Sequence, residues 1–131
     1  MGRVFFNTRK NVHNLTAAYT VLASDSGKVF TIDQDATFVI TLPSSHQEGE
    51  NYKFIVTDAG SGEVHVTSGA ANGIQGLITD ENSVEAIDHV LIEFVASTAA
   101  VGDYINLVND GTTWLVEGMC SADGGIVGAA S

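Results

Sequence analysis

Four histidines and a single cysteine are the residues of this chain best suited to metal binding or nucleophilic catalysis. The histidines, His13, His46, His65 and His89, stand singly, without His-x-His, His-Glu-x-x-His or Cys-His spacing. Such isolated histidines are more typical of surface or strand positions than of metal ligands. Cys120 has no catalytic motif around it, so we interpret it as a small apolar side chain. The pattern predicts no metal site and no cysteine nucleophile.

The acidic residues form no catalytic or calcium-binding motif. Asp33-Gln-Asp35 begins like an EF-hand loop but lacks the glycine and the distal glutamate. A glycosidase pair among the sixteen acids, or a surface Ca²⁺ held by turn carboxylates such as Asp58, Glu63 or Asp110, stays open, but no spacing selects either. The sequence has no Gly-x-Ser-x-Gly elbow, and Gly60-Ser-Gly62 lacks the lysine of a phosphate loop. We predict a protein that is not an enzyme and needs no cofactor.

Charge is divided unevenly along the chain. Arg3, Arg9 and Lys10 are three of the five basic residues, and the first ten positions hold no acid. The remainder sets two lysines against all sixteen acids, a formal charge of −14 within a total of −11. An acidic body repels nucleic acid, because phosphate binding needs clustered cations. We therefore expect no nucleic-acid partner. We expect the basic start to contact another protein, and the alternative is that its three cations form only a solvated tail.

The length of 131 residues suits one domain with a substantial core. No run approaches the ~18 apolar residues of a membrane span, and no apolar stretch of a secretion signal follows the basic start. We expect no membrane partner. One cysteine excludes an internal disulfide, so packing, or association with further copies of the chain, has to stabilise the fold.

Residues 1–18 are assigned to an N-terminal arm. They have no clear period, yet Val4, Phe5 and Phe6 make them too apolar for a segment surrounded only by water. Two interpretations stay open. The segment becomes ordered along another protein, or Val4 to Phe6 form the first strand of the domain's own sheet.

Between residues 19 and 118, short runs of alternating apolar and polar residues recur at intervals of about ten residues. The run 37–42 has the clearest inward and outward face, and the turn 58–62 predicts a hairpin between runs 52–57 and 63–67. Residues 84–95 are compatible with a helix by composition, but their alternation favours strands. No repeat of fixed period is visible, which argues against a solenoid or propeller. Nine or ten strands predict an all-β domain, an antiparallel β-sandwich, jelly roll or barrel-like fold.

The closing hairpin is the most informative stretch. Residues 104–108, beginning at Tyr104, form one predicted strand, and residues 112–116 return, with Trp114 and Val116 on the inward face. Asp110 and Gly111 lie in the turn 109–111, where glycine tolerates positive φ. The tail 119–131 is rich in glycine and alanine, and we expect it to be irregular.

This ending, Gly102-Asp103, Asp110-Gly-Thr112, Trp114, Val116 and Gly118, resembles the closing hairpin of small β-domains in tailed-phage virion proteins. Residues 19–57 are similar to the opening of such domains, so the likeness touches roughly half of the chain. Domains of this kind occur in capsid decoration (cement) proteins, head fibres and tail fibres.

The resemblance implies a capsid decoration protein on the outer surface of the virion, a homotrimer that binds the major capsid protein. The residues expected to contact neighbouring capsid subunits are Arg3, Phe5, Phe6, Arg9 and Lys10 of the arm. The alternative is a fibre module that binds host glycans through loops 44–50, 58–62 and 97–102, with Tyr52 or Tyr104 stacked on sugar. A third interpretation is a cellular β-domain whose likeness to virion proteins is accidental.

Overall fold

The computed structural model describes residues 9–70 and 73–130, and nearly all regular structure in them is β-strand. The first six strands are β1 (Val12–Leu15), β2 (Tyr19–Thr20), β3 (Val29–Asp33), β4 (Phe38–Thr41), β5 (Asn51–Asp58) and β6 (Val64–Thr67). The other six are β7 (Ile74–Thr79), β8 (Val84–His89), β9 (Leu91–Phe94), β10 (Tyr104–Asn109), β11 (Trp114–Met119) and β12 (Ile126–Ala129). A single 3₁₀ turn, Ala23–Asp25, lies between β2 and β3. Residues 84–95 contain strands β8 and β9, as their alternation predicted, and not the helix that their composition would permit.

The strands form two packed sheets, which confirms the predicted all-β sandwich. The seven-stranded sheet has the order β1-β3-β5-β10-β11-β7-β8, and the five-stranded sheet has the order β12-β9-β6-β4-β2. Both sheets are mixed, so parallel pairs occur beside the antiparallel pairs that were expected. Strands β1, β3 and β5 run parallel, as do β2, β4 and β6.

Parallel pairing arises because the first six strands alternate between the two sheets. After each visit to the opposite sheet the chain returns to the first sheet and runs in the same direction as before. We call this winding of β1 to β6 the two-sheet coil. The predicted hairpin between residues 52–57 and 63–67 is wrong for this reason, since β5 and β6 belong to different sheets. The small turn 58–62 carries the chain from one layer to the other.

One hydrophobic core lies between the layers. Alternate residues of each strand point inward, and the largest fully buried side chains are Trp114, Tyr52, Phe30, Phe54 and Phe94. Parallel register places Phe30 beside Phe54, with ring centres 5.2 Å apart and nearly parallel planes. The run 37–42 behaves as predicted, because Phe38 and Ile40 are buried while Val39 and Thr41 are exposed.

The closing hairpin is confirmed with a longer turn. Strands β10 and β11 pair antiparallel from Tyr104 opposite Met119 to Asn109 opposite Trp114. Asp110 Oδ1 accepts hydrogen bonds from the backbone N–H groups of Thr112 and Thr113 at 2.9 and 2.8 Å, and Gly111 has φ +101°. Trp114 and Val116 are buried, as predicted.

The two ends of the chain contribute more to the sandwich than expected. Strand β1 lies within the range assigned to the arm but pairs with β3, and β12 lies within the tail expected to be irregular but pairs with β9. The possible strand at Val4 to Phe6 lies outside the described residues. Within residues 9–70 and 73–130, no helix is long and apolar enough to cross a membrane.

Candidate binding surface

The outer face of the seven-stranded sheet carries most of the exposed large apolar side chains that the structure describes. Six of these nine residues point outward from its strands: Val12 on β1, Leu77 on β7, Val84 on β8, Val108 on β10, and Leu115 and Met119 on β11. Their exposed fractions run from 41% for Leu115 to 65% for Val12. Apolar side chains gathered on one exposed face mark interaction surfaces. We call this face the outer sheet face.

A groove of about 390 Å³ lies on the outer sheet face, and all three lysines of the chain line it. Lys10 precedes β1, Lys28 precedes β3, and Lys53 projects from the middle of β5. Lys53 is directly opposite Asn106 on β10, and Asn106 is directly opposite Glu117 on β11. In a protein of net charge −11, this convergence of lysines suits negatively charged groups of a partner.

Lys28 is fixed at the groove by a nearly buried carboxylate. Its ammonium donates a hydrogen bond to Asp25 Oδ1 at 2.6 Å, and Asp25 Oδ2 accepts from the Tyr19 hydroxyl at 2.8 Å and from Leu22 N–H at 3.0 Å. Burial opposes ionisation of Asp25, but these hydrogen bonds outweigh it and hold the pKa of the carboxyl below its ordinary value. The hydrogen bond to Asp25 raises the pKa of Lys28, so the ammonium stays charged.

Lys53 is held by an aromatic ring. Its ammonium lies 4.8 Å from the centre of the Tyr104 ring, a cation–π contact between β5 and β10. Tyr104 lies half-buried on the outer sheet face. Trp114 and Val116 of the same hairpin point the other way and are buried in the core. Tyr52 is 2% exposed, and its hydroxyl donates to Leu22 O at 3.0 Å, so it offers no platform for a sugar.

The structure places the predicted site residues in two groups. Arg9 and Lys10 are exposed directly before β1, and Lys10 enters the groove; Arg3, Phe5 and Phe6 lie outside the described residues. Lys28 and Lys53 were missed. The only indication of these two lysines in the sequence was that they are the only basic residues after position 10 of an otherwise acidic chain. Asp110 and Gly111 form the hairpin turn and take no part in the groove.

His13, His46 and Cys120 lie in three different surroundings. His13 packs against the rings of Tyr19 and Phe30, and His46 Nδ1 lies 2.7 Å from the amide of Asn109. Cys120 is 3% exposed, and burial raises the pKa of its thiol.

No protein-family model matches this chain, and no curated protein matches it.

Proposed function

We propose that this chain is a structural protein of a tailed-phage virion, which decorates the capsid and stabilises it by binding across neighbouring subunits. The observation that supports the proposal best is the outer sheet face, where exposed apolar side chains flank a groove lined by every lysine of an acidic protein. Binding without catalysis needs such a surface and nothing more. The hairpin that resembles virion β-domains forms part of the same face.

The chemistry of the face suits a capsid surface with carboxylates beside apolar side chains. The lysines supply attraction and orientation. Burial of residues such as Leu115 and Val108 contributes about 25 cal/mol per Å² of apolar area, from which the entropic cost of association is subtracted. Arg9 and Lys10 begin the face at its β1 edge, so an arm that includes Arg3, Phe5 and Phe6 would extend the same contact. We propose a homotrimer, in which three such contacts act together.

Stabilisation follows from mass action. A protein that binds the assembled shell and not its free subunits opposes disassembly by RT ln(1 + [L]/Kd). Three linked contacts raise the effective affinity without any new interaction, because the second and third are formed within one complex. Modest contacts at each protomer therefore suffice.

The test is co-sedimentation of the purified protein with expanded capsids. Leu115→Glu and Val108→Glu place charge on the outer sheet face and should abolish binding, and deletion of residues 2–8 should weaken it. The matched control is Val39→Glu, at an exposed strand position on the other sheet. Circular dichroism of each variant confirms the fold. Capsid binding that survives both face substitutions would contradict the assignment, and glycan-array binding by the wild type would favour the fibre alternative.

A further inference from the structure

Two glutamates and a histidine converge on the outer face of the five-stranded sheet, the layer opposite the outer sheet face. His65 Nε2 lies 2.6 Å from Glu63 Oε1 and 3.3 Å from Glu93 Oε1. All three side chains are half-buried, with 22% exposure for His65, 38% for Glu63 and 20% for Glu93. Two carboxylates thus compete for a single imidazole nitrogen.

The backbone fixes this convergence. His65 on β6 and Glu93 on β9 are directly opposite each other in an antiparallel pair, while Glu63 lies two residues before His65 and therefore on the same face. On the neighbouring strands, Val39 of β4 is paired with His65, and Val127 of β12 is paired with Glu93. The three polar groups consequently lie between apolar neighbours, where each charge is less screened than in water.

A proton on Nε2 satisfies this arrangement poorly. A single N–H group donates one good hydrogen bond, so only one of the two glutamates can accept it. The carboxylate of the other glutamate is then repelled by the first carboxylate without a compensating hydrogen bond. A divalent cation would accept lone pairs from the nitrogen and from both carboxylates at once. The Nε2 atom would then be unprotonated, with the imidazole proton on Nδ1.

We propose that Glu63, His65 and Glu93 form a binding site for a divalent transition-metal ion of the Zn²⁺ class. One nitrogen and two carboxylate oxygens match the ligands Zn²⁺ takes in proteins, with a solvent molecule in the fourth position. The three ligand atoms lie within 4.8 Å of one another.

The distances fit such an ion after a small adjustment. Tetrahedral ligands at about 2.0–2.1 Å from zinc stand roughly 3.3 Å apart. The pair of His65 Nε2 and Glu93 Oε1 already has this separation. The separation of Glu63 Oε1 from His65 Nε2 must grow from 2.6 Å to roughly 3.3 Å, which rotation of the Glu63 side chain allows because it is the most exposed of the three.

Histidine distinguishes this site from two other groups of acids. Asp33, Asp35 and Asp58 form one group, and Asp80, Glu85 and Asp123 form another, but both offer carboxylates alone. Zinc and cobalt favour a site with an imidazole over clusters of exposed carboxylates. These groups provide internal controls for unspecific cation binding.

The experiment is calorimetric titration of the full chain with Zn²⁺, together with the visible absorption spectrum of the Co²⁺ complex. We expect one saturable site per chain and a tetrahedral cobalt spectrum. His65→Gln and Glu93→Gln should each lower the affinity at least tenfold and abolish that spectrum, and the control Glu85→Gln should leave both unchanged.

Thermal unfolding without metal shows whether each variant folds. NMR spectra of the wild type give a readout that needs no variant, because the His65 ring resonances should shift on addition of Zn²⁺. Saturable binding that is equally strong in folded His65→Gln would overturn the proposal, as would its absence in the wild type. Neither result bears on capsid binding, which involves the opposite sheet.

Discussion

The Lys53 ammonium lies 4.8 Å from the centre of the Tyr104 ring, on the neighbouring strand of the outer sheet face. This contact orients a cation in the groove of a face that also exposes several large apolar side chains. A partly exposed cation–π pair contributes only about 0.5–1 kcal/mol, so its main effect is on position rather than stability.

Replacing Lys53 should therefore affect association far more than folding. Lys53→Met should change the free energy of unfolding by less than about 1 kcal/mol. It should weaken the proposed capsid binding at low salt, and the deficit should shrink as salt screens the charge. Co-sedimentation across a salt series measures this, with Lys53→Arg as the charge-preserving control. An equal deficit at all salt concentrations would show that Lys53 does not act through its charge.

Truncation of Trp114 should be the most damaging change in the closing hairpin. Trp114 is fully buried, so Trp114→Ala should cost about 3–5 kcal/mol of unfolding free energy. Trp114→Phe should cost less, because the indole N–H has no hydrogen-bond partner among the described residues. Leu115→Ala, at the adjacent exposed position, should stay within about 0.5 kcal/mol. Urea unfolding measures all three, and similar losses at positions 114 and 115 would contradict the inward and outward assignment.

Asp25 should make stability depend on pH in the acid range. Its folded pKa lies below the unfolded value of about 3.9, so its contribution is present above that pH and is lost as pH falls through the folded pKa. Asp25→Asn should lose about 1.5–3 kcal/mol at pH 7, since hydrogen bonds to a charged group are lost. The difference from wild type should shrink below about pH 4.

Unfolding free energies of wild type and Asp25→Asn between pH 2 and pH 7 test this linkage. Asp88→Asn, at an exposed position on β8, is the matched control and should follow the wild-type curve. A constant difference between wild type and Asp25→Asn across the whole range would refute the role given to the ionised carboxylate.

Gly76 should tolerate no side chain. A Cβ there would meet the backbone carbonyl oxygen of Val116 on β11, which a rigid sheet cannot move. Gly76→Ala should cost about 3 kcal/mol or more. Gly102 also has positive φ but has open space around it, so Gly102→Ala should lose only the conformational strain of about 1–2 kcal/mol. Thermal unfolding compares the two variants, and equal losses would mean that strain alone decides the effect at Gly76.

The sequence by itself determined which residues point inward. Alternation with a period of two is a local property, and it was sufficient for the run 37–42 and for Trp114 and Val116 in the closing hairpin. Turn chemistry is equally local, so Asp110 and Gly111 were placed correctly, although the turn extends to Thr113.

Outside the closing hairpin, only the tertiary structure decided which strands pair. The two-sheet coil has irregular steps, since Val12 pairs with Val29, 17 residues on, but Val29 pairs with Lys53, 24 residues on. A repeat of variable length leaves no period to detect, so β5 and β6 looked like a hairpin. The groove and the proposed metal site share this origin. Lys10, Lys28 and Lys53 meet, and Glu93 faces His65, because burial of both sheets fixes a register between segments far apart in the chain.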